Sequence, residues 1–204
     1  MRRVTMIMEL LRQMYIRSTG RLALFVVLLA GGAGSSLDAF ALGVCEVEMA
    51  KAAHRHSVPL QVLYSVGLTE SGKHGFMLPY AMNVEGRTVL ATSLQEAMRQ
   101  FWVLRAKGSG LIDIGCMQVN YRYHQKEFAG VADMFQPARN VDYAARFLKK
   151  LHGREGSWTM AVARYNAGPN NIPAQRKYVC SVIRSMIGAG MGGWTPSSRA
   201  LCGG

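Results

Sequence analysis

At 204 residues, half of them apolar, the chain is long enough to bury one well-developed core and needs no second domain. Twenty-four Lys and Arg against twelve Asp and Glu leave a net charge of +12, which suits an anionic partner, either a nucleic acid or an acidic cell-wall surface. The four cysteines lack the close pairing of a zinc knuckle and the five histidines form no HExxH pattern, so no metal site and no cofactor is expected.

Residues 1–41 read as an export signal. Arg2, Arg3, Arg12, Arg17 and Arg21 form a basic leader, Leu22 to Ala30 is nearly unbroken apolar sequence, and Ala39-Phe40-Ala41 has the small-x-small form of a cleavage site. The apolar run falls short of the about 20 residues that a membrane span requires. Cleavage there would leave a net charge of +9 on the remainder, and export favours the cell wall over nucleic acid as the anionic partner. A periplasmic location follows. It also permits disulfides: Cys45 and Cys180, each at an apolar helix margin near an end of the domain, are expected to pair, with Cys116 buried and free and Cys202 unpaired.

The segment 42–187 reads as a series of helices. The first runs from about Gly43 to Arg55. Ser57 caps a second, with Pro59 in its first turn, that ends near Glu70. Periodicity fails between Gly72 and Ala91, where Pro79, Asn83, Gly86 and Thr88 predict a loop with at most a small hairpin. Ser93 and Glu96 form a capping-box pattern ahead of the stripe Leu94, Ala97, Met98, Phe101 and Leu104. Asn140 is expected to open the next helix, with Val141, Ala144, Ala145, Leu148 and Leu151 inward and Gly153 as its stop. Ser157 caps a short helix that Gly168 and Pro169 terminate, and a last helix spans about Pro173 to Ile187. Residues 188–204 are Gly- and Ser-rich and are expected to be a flexible tail. No segment is long or alternating enough for a sheet of several strands, so the fold class is mainly α.

Three strings then stand out in order: Thr69-Glu70-Ser71-Gly72, Gly115-Cys116-Met117-Gln118-Val119-Asn120, and Arg164-Tyr165-Asn166-Ala167-Gly168. Together, each at an expected helix end, they resemble the signature of the goose-lysozyme-like SLT lytic transglycosylases, over roughly residues 43 to 186. The resemblance implies a lysozyme-like α domain with a small irregular or hairpin segment, acting on the glycan strands of bacterial peptidoglycan.

Glu70 is the candidate catalytic residue. At 100° per residue it lies on the side of Leu63 and Val66, so its carboxyl ends an apolar stripe, and partial desolvation raises a carboxyl pKa toward the range of a general acid. Most glycosidases place a second carboxylate beside the first; in the matched strings only Asp113, two residues before Gly115, stands near. A lone acid fits the lytic mechanism that the resemblance implies, with 1,6-anhydromuramic product ends. The resemblance also gives Ser71 a hydrogen bond to the acid or the sugar, Tyr165 a hydrogen bond near the catalytic carboxylate and Asn166 a contact near the scissile bond, while Tyr178 matches, more loosely, the tyrosine that often opens the family's final helix and is counted with them as substrate-binding. From its chemistry Met117 offers a polarizable wall for a sugar face, and Gln118 a donor and an acceptor for an acetamido group. Cys116 stands where leucine is common in the family. Asn120 is expected to open a helix.

Within the family, Pro79-Tyr80-Ala81-Met82-Asn83-Val84-Glu85-Gly86 and Ile112-Asp113-Ile114-Gly115-Cys116-Met117-Gln118 look most like the enzymes of type IV secretion and conjugation systems, or of type III systems. Components of such an apparatus are therefore expected partners. The competing readings are a hydrolytic muramidase using Asp113, a non-catalytic wall-binding assembly module, and a nucleic-acid-binding protein; the last explains the charge but not the export signal.

Overall fold

The computed structural model describes residues 43–73 and 76–203; the signal segment read over 1–41 lies outside them. Helix α1 (Val44–His56) packs on α6 (Pro137–Glu155), α6 on α7 (Trp158–Asn166), and α7 on α8 (Ile172–Gly188). Helix α2 (Leu60–Ser71) lies against both α1 and α8. It is apolar on most sides because it is enclosed: Val62, Leu63, Ser65, Val66, Gly67 and Ser71 are all buried. At Gly67 the enclosure is tightest, since an added Cβ would fall 2.2 Å from the Met49 side chain and 3.0 Å from the sulfurs of Met77 and Met117.

A small sheet stands beside the helices, contrary to the expectation of no multistranded sheet. Strands β1 (Gly72–Lys73) and β2 (Phe76–Met77) form a hairpin directly after α2, and β3 (Met82–Val84), β4 (Arg87–Val89), β5 (Ile112–Ile114) and β6 (Val119–Asn120) make an antiparallel sheet in the order β4-β3-β5-β6. Two or three residues per strand are too few for a period of two to register in the sequence. Once paired, the alternation is plain: Met82, Val84, Ile112, Ile114 and Val119 are buried on one face, while Asn83, Asp113 and Asn120 stand in register on the other.

Helix α3 (Leu94–Ala106) begins as read, with Ser93 Oγ accepting from the Glu96 N–H; Glu96 reaches back to the N–H and hydroxyl of Thr92. After β6 come α4 (Tyr121–His124), a 3-10 turn (Gln125–Glu127) and α5 (Val131–Phe135). Helix limits differ from the sequence reading at two places. Ser57, read as the cap of α2, instead closes α1 with a φ of 51°, and α2 begins at Leu60 after Pro59. Helix α6 starts at Pro137, which suits a first turn, and runs past Gly153 to stop at Gly156, whose φ of 76° is the left-handed cap.

The cysteines also pair differently. Cys45 bonds to Cys116 and Cys180 to Cys202, so Cys116 is not free and Cys45 does not reach Cys180. The reason is packing: α1 lies over the turn after β5, which holds Cys116, whereas Cys180 faces α9 (Pro196–Cys202). That helix replaces the loose tail expected over 188–204. It is opened by a Thr195–Ser198 capping box and tied down by the disulfide and by Arg176 Nε, which donates to the Leu201 carbonyl at 2.6 Å.

Peptide mapping of unreduced protein is expected to return 45–116 and 180–202 as the linked pairs. The first closes the longer loop, 71 against 22 residues, so its replacement by a Cys45→Ala, Cys116→Ala pair should cost about 4 kcal/mol in denaturant unfolding, against about 3 kcal/mol for the second bond.

Candidate active site

The turn between β5 and β6, Gly115-Cys116-Met117-Gln118, is where the long-range polar contacts converge. Gly115 has a φ of 80° and Gln118 a φ of 44°, so the chain reverses through two left-handed residues. A side chain at Gly115 would also strike Asn140, whose Nδ2 lies 2.8 Å from the Cβ position. Asn140 is fully buried in the first turn of α6 and does not act as a helix cap. Its Oδ1 accepts from the Met117 N–H at 2.8 Å, and its Nδ2 donates to the carbonyls of Ile114 and Met134, both at 2.9 Å.

Ser71, next to Glu70 at the end of α2, donates to the Cys116 carbonyl at 2.6 Å. It thus ties the catalytic helix to the turn and does not bond the acid. Tyr165 on α7 donates to the Met117 carbonyl at 2.8 Å, so its phenol also supports the turn. Met117 itself is fully buried against Gly67 and belongs to the core, not to a wall of the cleft; the absence of a Cβ at Gly67 is what admits its sulfur. Gln118 is nearly buried and spends its Nε2 on the carbonyls of Gly115 at 2.8 Å and Ala81 at 3.1 Å. Only its Oε1 is left for a ligand, so it offers an acceptor and not the donor–acceptor pair that its chemistry alone suggested.

Two cavities meet at Glu70 and Gln118. One, of 260 Å³, continues along Asp113, Asn120, His124 and Tyr165 to the exposed Asn166. The other, of 300 Å³, continues along Ser71, Ala81, Asn83 and Thr88. The Glu70 carboxyl therefore lies midway in a bipartite cleft between the helices and the polar face of the sheet. Tyr178 on α8 donates to Glu70 Oε1 at 2.5 Å; of the two tyrosines it is the one bonded to the acid. Burial pushes Glu70 from an ordinary 4.5 up to about 7, the Tyr178 hydrogen bond pulls it down, and the charge of Asp113 raises it further. Burial and the nearby Glu70 charge hold both Tyr165 and Tyr178 well above the usual phenol range, so both remain hydrogen-bond donors.

Asp113 and Asn120 make a second polar pair in the 260 Å³ arm, where Asn120 Nδ2 donates to Asp113 Oδ1 at 2.6 Å. Asn120 precedes α4, as read, but its side chain makes this cross-strand bond and no cap. The aromatic side of the same cavity, formed by Tyr123, His124, Tyr143 and Phe147, was not singled out from the sequence. There Tyr143 Oη and His124 Nδ1 lie 2.8 Å apart, and burial holds the imidazole pKa below its usual range. Among the described residues no group of three or more His, Cys, Asp or Glu is placed to hold a metal ion.

The profile of the transglycosylase SLT domain matches residues 48–184, two thirds of the chain, and it spans the cleft, the turn and every helix from α2 to α7. The chain belongs to this family, and its activity is that of a lytic transglycosylase on peptidoglycan. Comparison with curated proteins and with solved structures returned no match.

The raised Glu70 pKa has a consequence for stability. Between 4.5 and about 7 the folded protein holds a proton that the unfolded chain has released, so stability falls as pH rises through that window. Glu70→Gln removes this penalty. Denaturant unfolding at pH 8 should show the variant more stable by on the order of 3 kcal/mol, and the difference should disappear below pH 4.

Proposed function

We propose that Glu70 is the general acid and then the general base of a lytic cleavage at the β-1,4 bond between N-acetylmuramic acid and N-acetylglucosamine. The protonated carboxyl donates to the glycosidic oxygen as the C1–O bond breaks. The resulting carboxylate then takes the proton of the muramic C6 hydroxyl while that oxygen bonds to C1. The products are a free 4-hydroxyl on the departing sugar and a 1,6-anhydromuramic end, and Glu70 has its proton back. No cofactor is needed. The observation that carries this reading is a carboxyl at the meeting point of two cavities, with its pKa pushed up to about 7, which lets one group both give and recover a proton near neutral pH.

Around it, Tyr178 orients the acid, while Gln118 Oε1 and the exposed Asn166 amide at the rim suit the acetamido and hydroxyl groups of a glycan. Ser71 and Tyr165 serve at one remove, by holding the turn that presents Gln118. A non-catalytic wall-binding module would have no use for a desolvated acid. The hydrolytic alternative retains one specific support: Asp113 lines the cavity that Glu70 lines, where a second carboxylate would activate water.

Export to the periplasm accords with two formed disulfides and with an anionic polymer as substrate for a chain that keeps a net charge of +9 once residues 1–41 are removed. Service to a type IV secretion or conjugation apparatus, or a type III one, rests on the resemblance of two segments. In the fold these become the β3–β4 hairpin and the strand leading into the central turn, with the turn itself.

Digestion of purified sacculi followed by mass spectrometry without borohydride reduction should yield muropeptides lighter by one water than hydrolytic products. A pool of reducing ends would instead establish the muramidase reading. Glu70→Gln, shown folded by circular dichroism, should lose on the order of 10³-fold in release rate, and wild-type activity should decline as pH rises through about 7.

A further inference from the structure

We infer that Asp113 is a positioning residue for the reaction, a fixed negative charge in the cleft that keeps the proton on Glu70, rather than a base that activates water. The inference rests on Glu70 being the acid. Its ground is the makeup of the 260 Å³ cavity, in which Glu70 and Asp113 share one wall system. Tyr178 on α8 donates to the acid, and Tyr165 on α7, whose hydroxyl donates to the Met117 carbonyl, lines the same cavity as a neutral phenol. On the far side stand Tyr123 and His124 from α4 and Tyr143 from α6, and His124 is kept neutral by burial. Among the described residues no Lys or Arg lines this cavity, in a chain that carries twice as many basic as acidic residues. Two carboxyls in one partly desolvated space without a cation cannot both ionise freely, and they titrate as a pair.

The fold decides which of the two carries the charge. Asp113 sits at the centre of the polar face of the sheet, in register with Asn83 on β3 and Asn120 on β6. Burial raises its pKa above the usual carboxylate range, and Asn120 Nδ2, which donates to its Oδ1 at 2.6 Å, opposes this by favouring the carboxylate. Asn120 Oδ1 is itself buried and without a partner, so the bond to Asp113 is what orients this amide. Glu70 ends an apolar helix stripe, where burial dominates and opposes ionisation. The charge therefore rests on Asp113 and the proton on Glu70, and the sheet pair acts on the reaction through the acid. As a plain cross-strand tie between β5 and β6, the same pair would contribute only to stability.

The pH dependence of glycan-strand cleavage separates these roles. Asp113→Asn keeps the size and a hydrogen-bonding partner for Asn120 but removes the charge. It should move the alkaline limb of the activity profile to lower pH, with a loss of roughly three-fold above neutrality and anhydromuramic ends still the product. Asp113→Glu should restore the limb. If Asp113→Asn does not fold, Asn120→Ala, which releases the carboxylate from its register, should move the limb in the same direction. An unmoved limb in folded Asp113→Asn protein overturns the inference, as does loss of reducing-end products in that variant, which would make Asp113 the base for water. Glu70→Gln measured in parallel keeps the two claims apart: full activity there removes the acid assignment itself, whereas an inactive Glu70→Gln with an unmoved Asp113→Asn limb removes only the role of Asp113.

Discussion

Four helices are fastened to one four-residue turn, and the cleft exists because of it. Helix α1 reaches the turn through the Cys45–Cys116 bond, α2 through Ser71, α6 through Asn140 and α7 through Tyr165. The last three contacts each use a backbone group that a tight reversal leaves without a ladder partner. In a buried setting each such group must find a side chain or cost roughly 1–3 kcal/mol. The polar network is therefore both the repair of a strained turn and the frame that sets Gln118 against Glu70. Asn140 matters most in this sense, because one fully buried amide serves two carbonyls and one N–H.

The second constraint is electrostatic. A carboxyl at the end of an enclosed helix is destabilising when ionised, and the protein offsets this only in part, with a single phenol from α8. A stronger donor, or an arginine in the cleft, would stabilise the carboxylate and leave no proton to donate at neutral pH. The arrangement is thus a compromise in which some folding stability above neutral pH is given up so that the acid stays poised. Surface charge plays a different part. The excess of Lys and Arg lies outside the cavity that Glu70 shares with Asp113, where it attracts an anionic polymer without quenching the acid.

Much of this was legible in the chain. The stripes of α3 and α6 and the caps at Ser93 and Ser157 are local patterns, and local patterns survive folding. Glu70 was identifiable because helical geometry places it on an apolar face, and the three strings resembled a family whose profile the chain matches. Long-range contacts were not legible. The disulfide pairing depends on which helices become neighbours, and the burial of Met117 depends on the missing side chain at Gly67, fifty residues earlier in the chain. The roles of Ser71 and Gln118 were misread for the same reason: their partners are backbone carbonyls that become available only when the turn forms. One signal was present and could have been used. Asn140 interrupts the apolar face it shares with Ala144, Leu148 and Leu151, and a polar residue in such a place needs buried partners.

The account turns on the protonation state of a single side chain, and that state can be observed directly. Carboxyl carbon shifts of glutamate-labelled wild-type protein, assigned to Glu70 by comparison with Glu70→Gln and followed through a pH titration, give its midpoint without any activity assay. A midpoint near 7 is the result the account predicts. A midpoint at or below the ordinary 4.5 would show a solvated carboxylate at neutral pH, with no proton to give, and would contradict it.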